Sequence, residues 1–181
     1  MSYEAEIHDA MRAGIADVVE TYGLHRAGPP TASDRPPAPA PDLFCAMLRY
    51  SAPSLRGVIV IVGPAKLWDR FLDAGFDETM DELHDERWRR DVAGEVANLL
   101  VGRMKLALLP RGIELALGVP TSGAGVPIGV LSGSPQQSDC YELPVGAEVL
   151  DVWGDVILEP GFAPRAPELG ADRAAGELIL F

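Results

Sequence analysis

The chain has 181 residues, 48% of them hydrophobic, and a formal net charge of −12 at pH 7. This length and apolar content suit a single domain with a buried core. The negative charge would repel phosphates, so no nucleic-acid partner is expected.

Apolar runs, the N-terminal residues, cysteines and histidines indicate the cellular compartment and the kinds of site to expect. The longest apolar run, Val58 to Val62, is far shorter than the roughly 20 residues of a membrane-spanning helix, so no membrane insertion is expected. The polar, acidic start of the chain does not resemble a signal peptide, which predicts a cytoplasmic protein. Cys45 and Cys140 stand far apart and are interpreted as reduced thiols in or near the core. The three histidines share no ligand spacing, so no zinc site is expected.

The N-terminal part of the chain predicts a helix followed by an insert. Apolar side chains recur at helical spacing over residues 1–23, and Gly23 is a natural helix stop. Residues 28–42 then carry six prolines between Pro29 and Pro41. Because proline disfavours both helices and central strands, we interpret this segment as an extended loop or a disordered insert that carries no part of the functional site.

Two strands and two helices follow the insert. Residues 43–52 and 56–63 predict strands joined by a short turn. Pro64 then opens a helix, and residues 86–109 predict a long helix that ends at Pro110. The apolar stripe of the shorter helix consists of Leu67, Trp68, Phe71 and Leu72.

The remaining sequence predicts shorter strands. Residues 113–119 predict one strand, and 126–131 predict another within the glycine-rich segment 121–139. Residues 141–159 predict one or two more. This order of elements favours an α+β fold in which helices pack on a mostly antiparallel sheet and the long helix lies outermost.

The long helix separates polar from apolar side chains. At about 100° per residue, Asp91, Glu95 and Asn98 share one narrow stripe with Gly102. Such a stripe is ordinary on an amphipathic helix. However, asparagine is a poor residue for a helix interior, and Gly94 and Gly102 flank the pair while costing roughly 1 kcal/mol each relative to alanine. The stripe is therefore consistent with close approach by another molecule. The opposite side gathers Ala93, Val96, Ala97, Leu100, Met104, Ala107 and Leu108, which we expect to be buried.

The segments DVAGEVANLLVGRMK and GIELALGVPTSGAG resemble the CheC and CheX family of chemotaxis phosphatases. The family signature is an Asp or Ser, three residues, a Glu, two residues, an Asn, and a Pro after a longer interval. The matching positions are Asp91, Glu95, Asn98 and Pro120, with 21 residues between the last two. The order of elements is also similar. The resemblance implies a CheX-like domain over residues 1–159 and a C-terminal extension over 160–181.

The resemblance implies a reaction as well as a fold. The expected substrate is the aspartyl phosphate of a CheY-type response regulator, whose receiver domain supplies its own Mg²⁺ and lysine. Asn98 would orient the attacking water, and Glu95 would pair with the receiver's lysine. No cofactor or metal of the protein's own is therefore expected. Asp91 and Pro120 would be supporting positions, although Asp91 could be only an exposed acid and Pro120 only structural.

Two alternatives stay open at this stage. A non-catalytic module that docks a receiver domain or a flagellar switch component would need the same surface without hydrolysis. The presence of both Glu95 and Asn98 favours the phosphatase. The resemblance also implies a homodimer, since CheX-type members of the family pair through edge strands. We match no strand of this sequence to that pairing edge, so the homodimer stays an open alternative.

Overall fold

A computed structural model describes residues 3–33, 42–75, 85–125, 138–160 and 162. Three α-helices and seven strands lie in these residues. The helices are α1 (Tyr3–Thr21), α2 (Ala65–Gly75) and α3 (Glu86–Leu108), and a short 3₁₀ turn at Leu109–Arg111 follows α3. The strands are β1 (Thr31–Ser33), β2 (Leu43–Ala52), β3 (Leu55–Pro64), β4 (Ala116–Leu117), β5 (Thr121–Ala124), β6 (Ser138–Val145) and β7 (Glu148–Leu158).

The seven strands form one sheet in which every described pairing is antiparallel. The order is β1-β6-β7-β3-β2, and β4 and β5 lie one after the other along the outer edge of β2. This confirms the predicted α+β class with a mostly antiparallel sheet. No helix within the described ranges is long and apolar enough to cross a membrane.

All three helices contribute to the main core on one face of the sheet. Alternate side chains of each strand point to this face because successive residues of a strand point in opposite directions. Helix α3 packs against both α1 and β2, so it is held from two sides. Fully buried side chains from the helices and the sheet include Ile15, Trp68, Leu100, Leu48, Ile59 and Val152.

The predicted proline-rich insert needs one correction. Thr31–Ser33, inside the predicted insert 28–42, forms strand β1 and pairs with β6. These residues retain their backbone N–H groups between two proline clusters, so they can extend the sheet at its open edge. Residues 34–41 lie outside the described residues.

The predicted strand over 113–119 is also wrong in extent. Only Ala116–Leu117 pairs with β2, and the Gly118 N–H donates to the Arg49 carbonyl at 2.8 Å. Pro120 has no N–H and interrupts the ladder, which resumes as β5 at Thr121–Ala124. The strand predicted at 126–131 lies outside the described residues. So do residues 163–181, and the division at residue 160 stays a prediction.

The opposite face of the sheet carries a smaller buried cluster. It contains both thiols, which are free and buried as predicted, and burial is the main cause that raises the pKa of Cys140, to about 11. Asp151 lies on this face across from Glu142. Burial first, and then the charge of Glu142, raise the pKa of Asp151 from 3.8 to about 6. The apolar members of the cluster are Val60, Val62 and Trp153.

The raised pKa of Asp151 predicts a pH-dependent stability. A carboxyl group that binds its proton more tightly in the folded state stabilises that state below the unfolded pKa, and this contribution is lost as pH rises through about 6. We expect Asp151→Asn to remove this contribution, so that the variant gains stability relative to wild type as pH rises from 4 to 7. Urea unfolding of both proteins at each pH measures the difference. A difference that does not change with pH would contradict the prediction.

Candidate functional site

Helix α3 begins with a well-defined cap. The Asp85 carboxylate accepts a hydrogen bond from the Trp88 backbone N–H at 2.9 Å, which satisfies one of the free N–H groups of the first turn. One residue later, the Arg89 guanidinium donates to both carboxylate oxygens of Asp69 in α2, at 2.7 and 3.1 Å. Both side chains of this pair are only 20% exposed. The cap and the bidentate pair fix the start of α3 against α2.

The predicted inner face of α3 is confirmed except at its end. Val96, Leu100, Met104 and Leu108 are buried, because they follow the helical period toward α1 and β2. Ala107, which was predicted on the same face, is exposed. The buried stripe therefore narrows in the last turn, where Leu108 still reaches the core and Ala107 does not.

The predicted outer stripe of α3 is largely confirmed. Asp91 and Glu95 are exposed, whereas Asn98 is only partly exposed, which is less than the wheel predicts. Glu95 and Asn98 lie one turn apart. Among the described residues, no ion pair of the Glu95 carboxylate and no hydrogen bond of the Asn98 carboxamide is found. Nothing in the described residues therefore competes with a partner for either group.

Pro120 lies between β4 and β5 at the edge of the sheet and contacts α3 at Gly94. A Cβ atom placed on Gly94 would lie 3.8 Å from both Cβ and Cγ of Pro120. The proline ring therefore packs on the helix backbone directly before Glu95. Gly94 is therefore buried under Pro120 and does not leave room for close approach by another molecule. Gly102 has nothing within 4 Å of its Cβ position and does leave open surface.

Asp91 stands at the edge of a polar groove. Its carboxylate lies 3.9 Å from the guanidinium of Arg87, and both side chains are exposed. Ser122 of β5 lines the same groove, so the segment after Pro120 closes one side of it. The structure therefore gathers all four positions of the sequence signature around the outer face of α3.

A feature that the sequence did not indicate lies on the other side of Glu95. A mainly apolar cavity of about 290 Å³ opens between the ends of α1 and α2 and the start of α3. Tyr22 and Gly75, which line it, are far apart in sequence and meet only through tertiary packing. Burial first, and then the charge of Glu95, raise the pKa of Tyr22.

The outer face of α3 offers groups for binding and orientation. The Asn98 amide both donates and accepts hydrogen bonds and is neutral at all relevant pH values. The Glu95 carboxylate can pair with a cation. Within the part of the chain that the structure describes, no three His, Cys, Asp or Glu side chains are grouped to hold a metal ion. The pair can therefore hold a water molecule and a cationic partner group in a fixed relation.

No protein-family model matches the chain, and no curated protein matches it significantly. Several solved structures do match its fold. The chemotaxis protein CheX from Vibrio vulnificus has a TM-score of 0.69 at 17% identity, covering 83% of this chain and 99% of its own. A CheC-like superfamily protein from Shewanella sp. PV-4 has a TM-score of 0.67 at 15% identity, covering 83% and 97%.

A third match is a chain of the CheX-CheY-BeF3-Mg+2 complex from Borrelia burgdorferi. Its TM-score is 0.61 at 14% identity, and the match covers 86% of this chain and 98% of that one. The fold is therefore that of CheX-like and CheC-like chemotaxis proteins. Since these identities are low, the likeness establishes the fold, and the chemistry rests on the residues of this chain.

Proposed function

We propose that this protein is a phosphatase that hydrolyses the aspartyl phosphate of a CheY-type receiver domain. The observation that carries the proposal is the pairing of Glu95 and Asn98 on the outer face of α3. Both side chains are accessible and unpaired among the described residues, and Pro120 packs beside them at Gly94. The proposal is supported by the similarity of this fold to a chain of the CheX-CheY-BeF3-Mg+2 complex from Borrelia burgdorferi.

In the proposed reaction, the Asn98 carboxamide holds a water molecule in line with the phosphoryl group. The water oxygen attacks phosphorus, the bond from phosphorus to the aspartyl oxygen breaks, and the aspartate leaves as a carboxylate with release of inorganic phosphate. The receiver supplies the Mg²⁺ that neutralises the phosphoryl oxygens. Phosphoryl transfer needs positioning and charge stabilisation more than covalent catalysis, so an amide without a nucleophile is sufficient.

Glu95 acts in docking. Its exposed carboxylate pairs with the lysine beside the receiver's phosphorylated aspartate and thereby sets the register of Asn98. Asp91 adds a second negative charge one turn earlier, and Pro120 packs on the helix at Gly94, directly before Glu95. The surplus of acidic residues, 27 against 15 basic ones, favours a partner with a basic face. We place the reaction in the cytoplasm with its receiver substrate.

Glu95→Gln tests the docking role, because it removes the charge and keeps the shape. We expect receiver affinity to fall about tenfold, which is within the range for an interfacial charge pair. The association rate of the variant should also depend less on salt, because one attractive charge is missing. Stopped-flow binding at several salt concentrations measures both quantities, and Glu86→Gln, at the exposed start of the same helix, is the control. Equal affinity and equal salt dependence for wild type and Glu95→Gln would contradict the role.

The activity itself is tested by mixing the purified protein with Mg²⁺, acetyl phosphate and each receiver of the same cell. We expect one receiver to release phosphate well above its own rate. Phosphate release at the intrinsic rate from every receiver would contradict the proposed function.

A further inference from the structure

The cavity beside Glu95 is lined by residues of α2 and α3 and by Tyr22, the residue that follows α1. Aromatic and aliphatic side chains form its walls, and two carboxylates stand at one side. Its lining includes Tyr22, Phe71, Gly75, Trp88, Asp91 and Glu95. Glu95 thus belongs both to this cavity and to the outer face of α3 that carries Asn98.

The walls of the cavity are held by packing on the core. Phe71 is fully buried, and the Tyr22 ring meets it edge to face with 5.0 Å between the ring centroids. The pair between Arg89 and Asp69 ties α2 to α3 next to the cavity. Within the described residues, the cavity walls are thus held in place without a ligand, so the ordering cost of binding is small.

The size of the cavity limits its occupant. Pockets for small molecules usually measure about 300–1,000 Å³, and this one, at about 290 Å³, is at the lower limit. It suits one large side chain better than a nucleotide or a metabolite. Protein interfaces often gain most of their affinity from such an anchor in a preformed pocket.

The position and charge of the cavity identify the source of that side chain. We propose that the cavity receives one large apolar side chain of the receiver, next to a basic residue that meets Asp91 and Glu95. The proposal rests on the proposed function, since the receiver that contacts Glu95 is the molecule that lies over the cavity. It adds a second anchor beside Glu95, which lines the cavity.

Filling the cavity tests the proposal. A Cβ atom on Gly75 would lie 3.4 Å from Cε1 of Tyr22, so Gly75→Leu directs a side chain into the space. The matched control is Ala74→Leu, at an exposed position next to it that does not line the cavity. Each variant is titrated by calorimetry with the receiver that the wild type binds, activated by Mg²⁺ and beryllofluoride. We expect Gly75→Leu to weaken binding about tenfold and Ala74→Leu less than twofold.

The folded state of both variants is checked by thermal unfolding. If Gly75→Leu does not fold, Gly75→Met is used instead, because its more flexible side chain can also fill the cavity. Equal affinity for Gly75→Leu and wild type, or equal weakening by both leucine variants, would overturn the proposal. In that case intact phosphate release would leave the phosphatase standing. Selective weakening by Gly75→Leu without any acceleration of phosphate release would support the anchor and refute the phosphatase. Binding of no receiver at all would refute both.

Discussion

Replacing Asn98 with alanine should lower the rate of receiver dephosphorylation by roughly 10²-fold, which is the scale of losing one positioning group. The reason is that the water would lose the amide that aligns it with phosphorus. The helix should persist, because alanine is the better helix former and Asn98 is partly exposed. Binding of the activated receiver should change little, since Glu95 remains.

The measurement for Asn98→Ala separates turnover from binding. Phosphate release at saturating receiver gives the turnover rate, and titration with the beryllofluoride-activated receiver gives affinity. Lys105→Ala, two turns further along α3, is the control and should keep wild-type turnover. Wild-type turnover in Asn98→Ala would contradict the assigned role. A loss of affinity that accounts for the whole effect would assign Asn98 to docking instead.

Replacing Trp68 with alanine should cost about 3–5 kcal/mol of the free energy of unfolding, as for other buried tryptophans. Trp68 is fully buried between α2 and the sheet. Its indole N–H donates to the Gly63 carbonyl at 3.0 Å, and a second contact joins it to the Phe44 carbonyl at 3.3 Å. Its ring centroid lies 5.6 Å from that of Phe71. Truncation would leave a cavity and remove both contacts of the indole N–H.

Urea unfolding measures this loss. Trp68→Phe retains much of the ring volume without the N–H, so we expect a loss between those of wild type and Trp68→Ala. Ile157→Ala removes a side chain that is 43% exposed and should cost under about 1 kcal/mol. Domains of this kind have about 5–15 kcal/mol in total, so Trp68→Ala should approach the limit of folding. A loss below about 1 kcal/mol would contradict the role of Trp68 in joining α2 to the sheet.

Periodicity predicted the parts of this fold that are controlled by local sequence. The inner face of α3 and the stripe of α2 repeat every 3.6 residues over several turns, so their burial could be predicted. The exposed position of Glu95 follows from the same period. By contrast, three of the four residues of β5 (Ser122, Gly123 and Ala124) do not favour strands, and the strand forms by pairing with the outer edge of β2. Such long-range pairing is not encoded within the segment itself.

In the candidate site, too, helical spacing predicts some features and tertiary packing determines the others. The spacing of Glu95 and Asn98 on one helix predicts that they lie together. The contact of Pro120 with Gly94, 26 positions earlier, depends on how β4 and β5 return along β2. The anchor cavity needs Tyr22, Gly75 and Trp88 to meet, and no local pattern indicates this. These features follow from tertiary packing, which a single sequence does not specify by spacing.

The central claim is most directly tested by single-turnover decay of a purified phosphorylated receiver. Each receiver of the host is charged, freed of phosphodonor and followed with Mg²⁺ in the presence and absence of the protein. The account predicts that one receiver loses its phosphoryl group much faster with wild-type protein, and that Asn98→Ala removes most of this acceleration. If the protein binds a receiver but every receiver decays at its intrinsic rate, the surface of α3 is a docking site without catalysis.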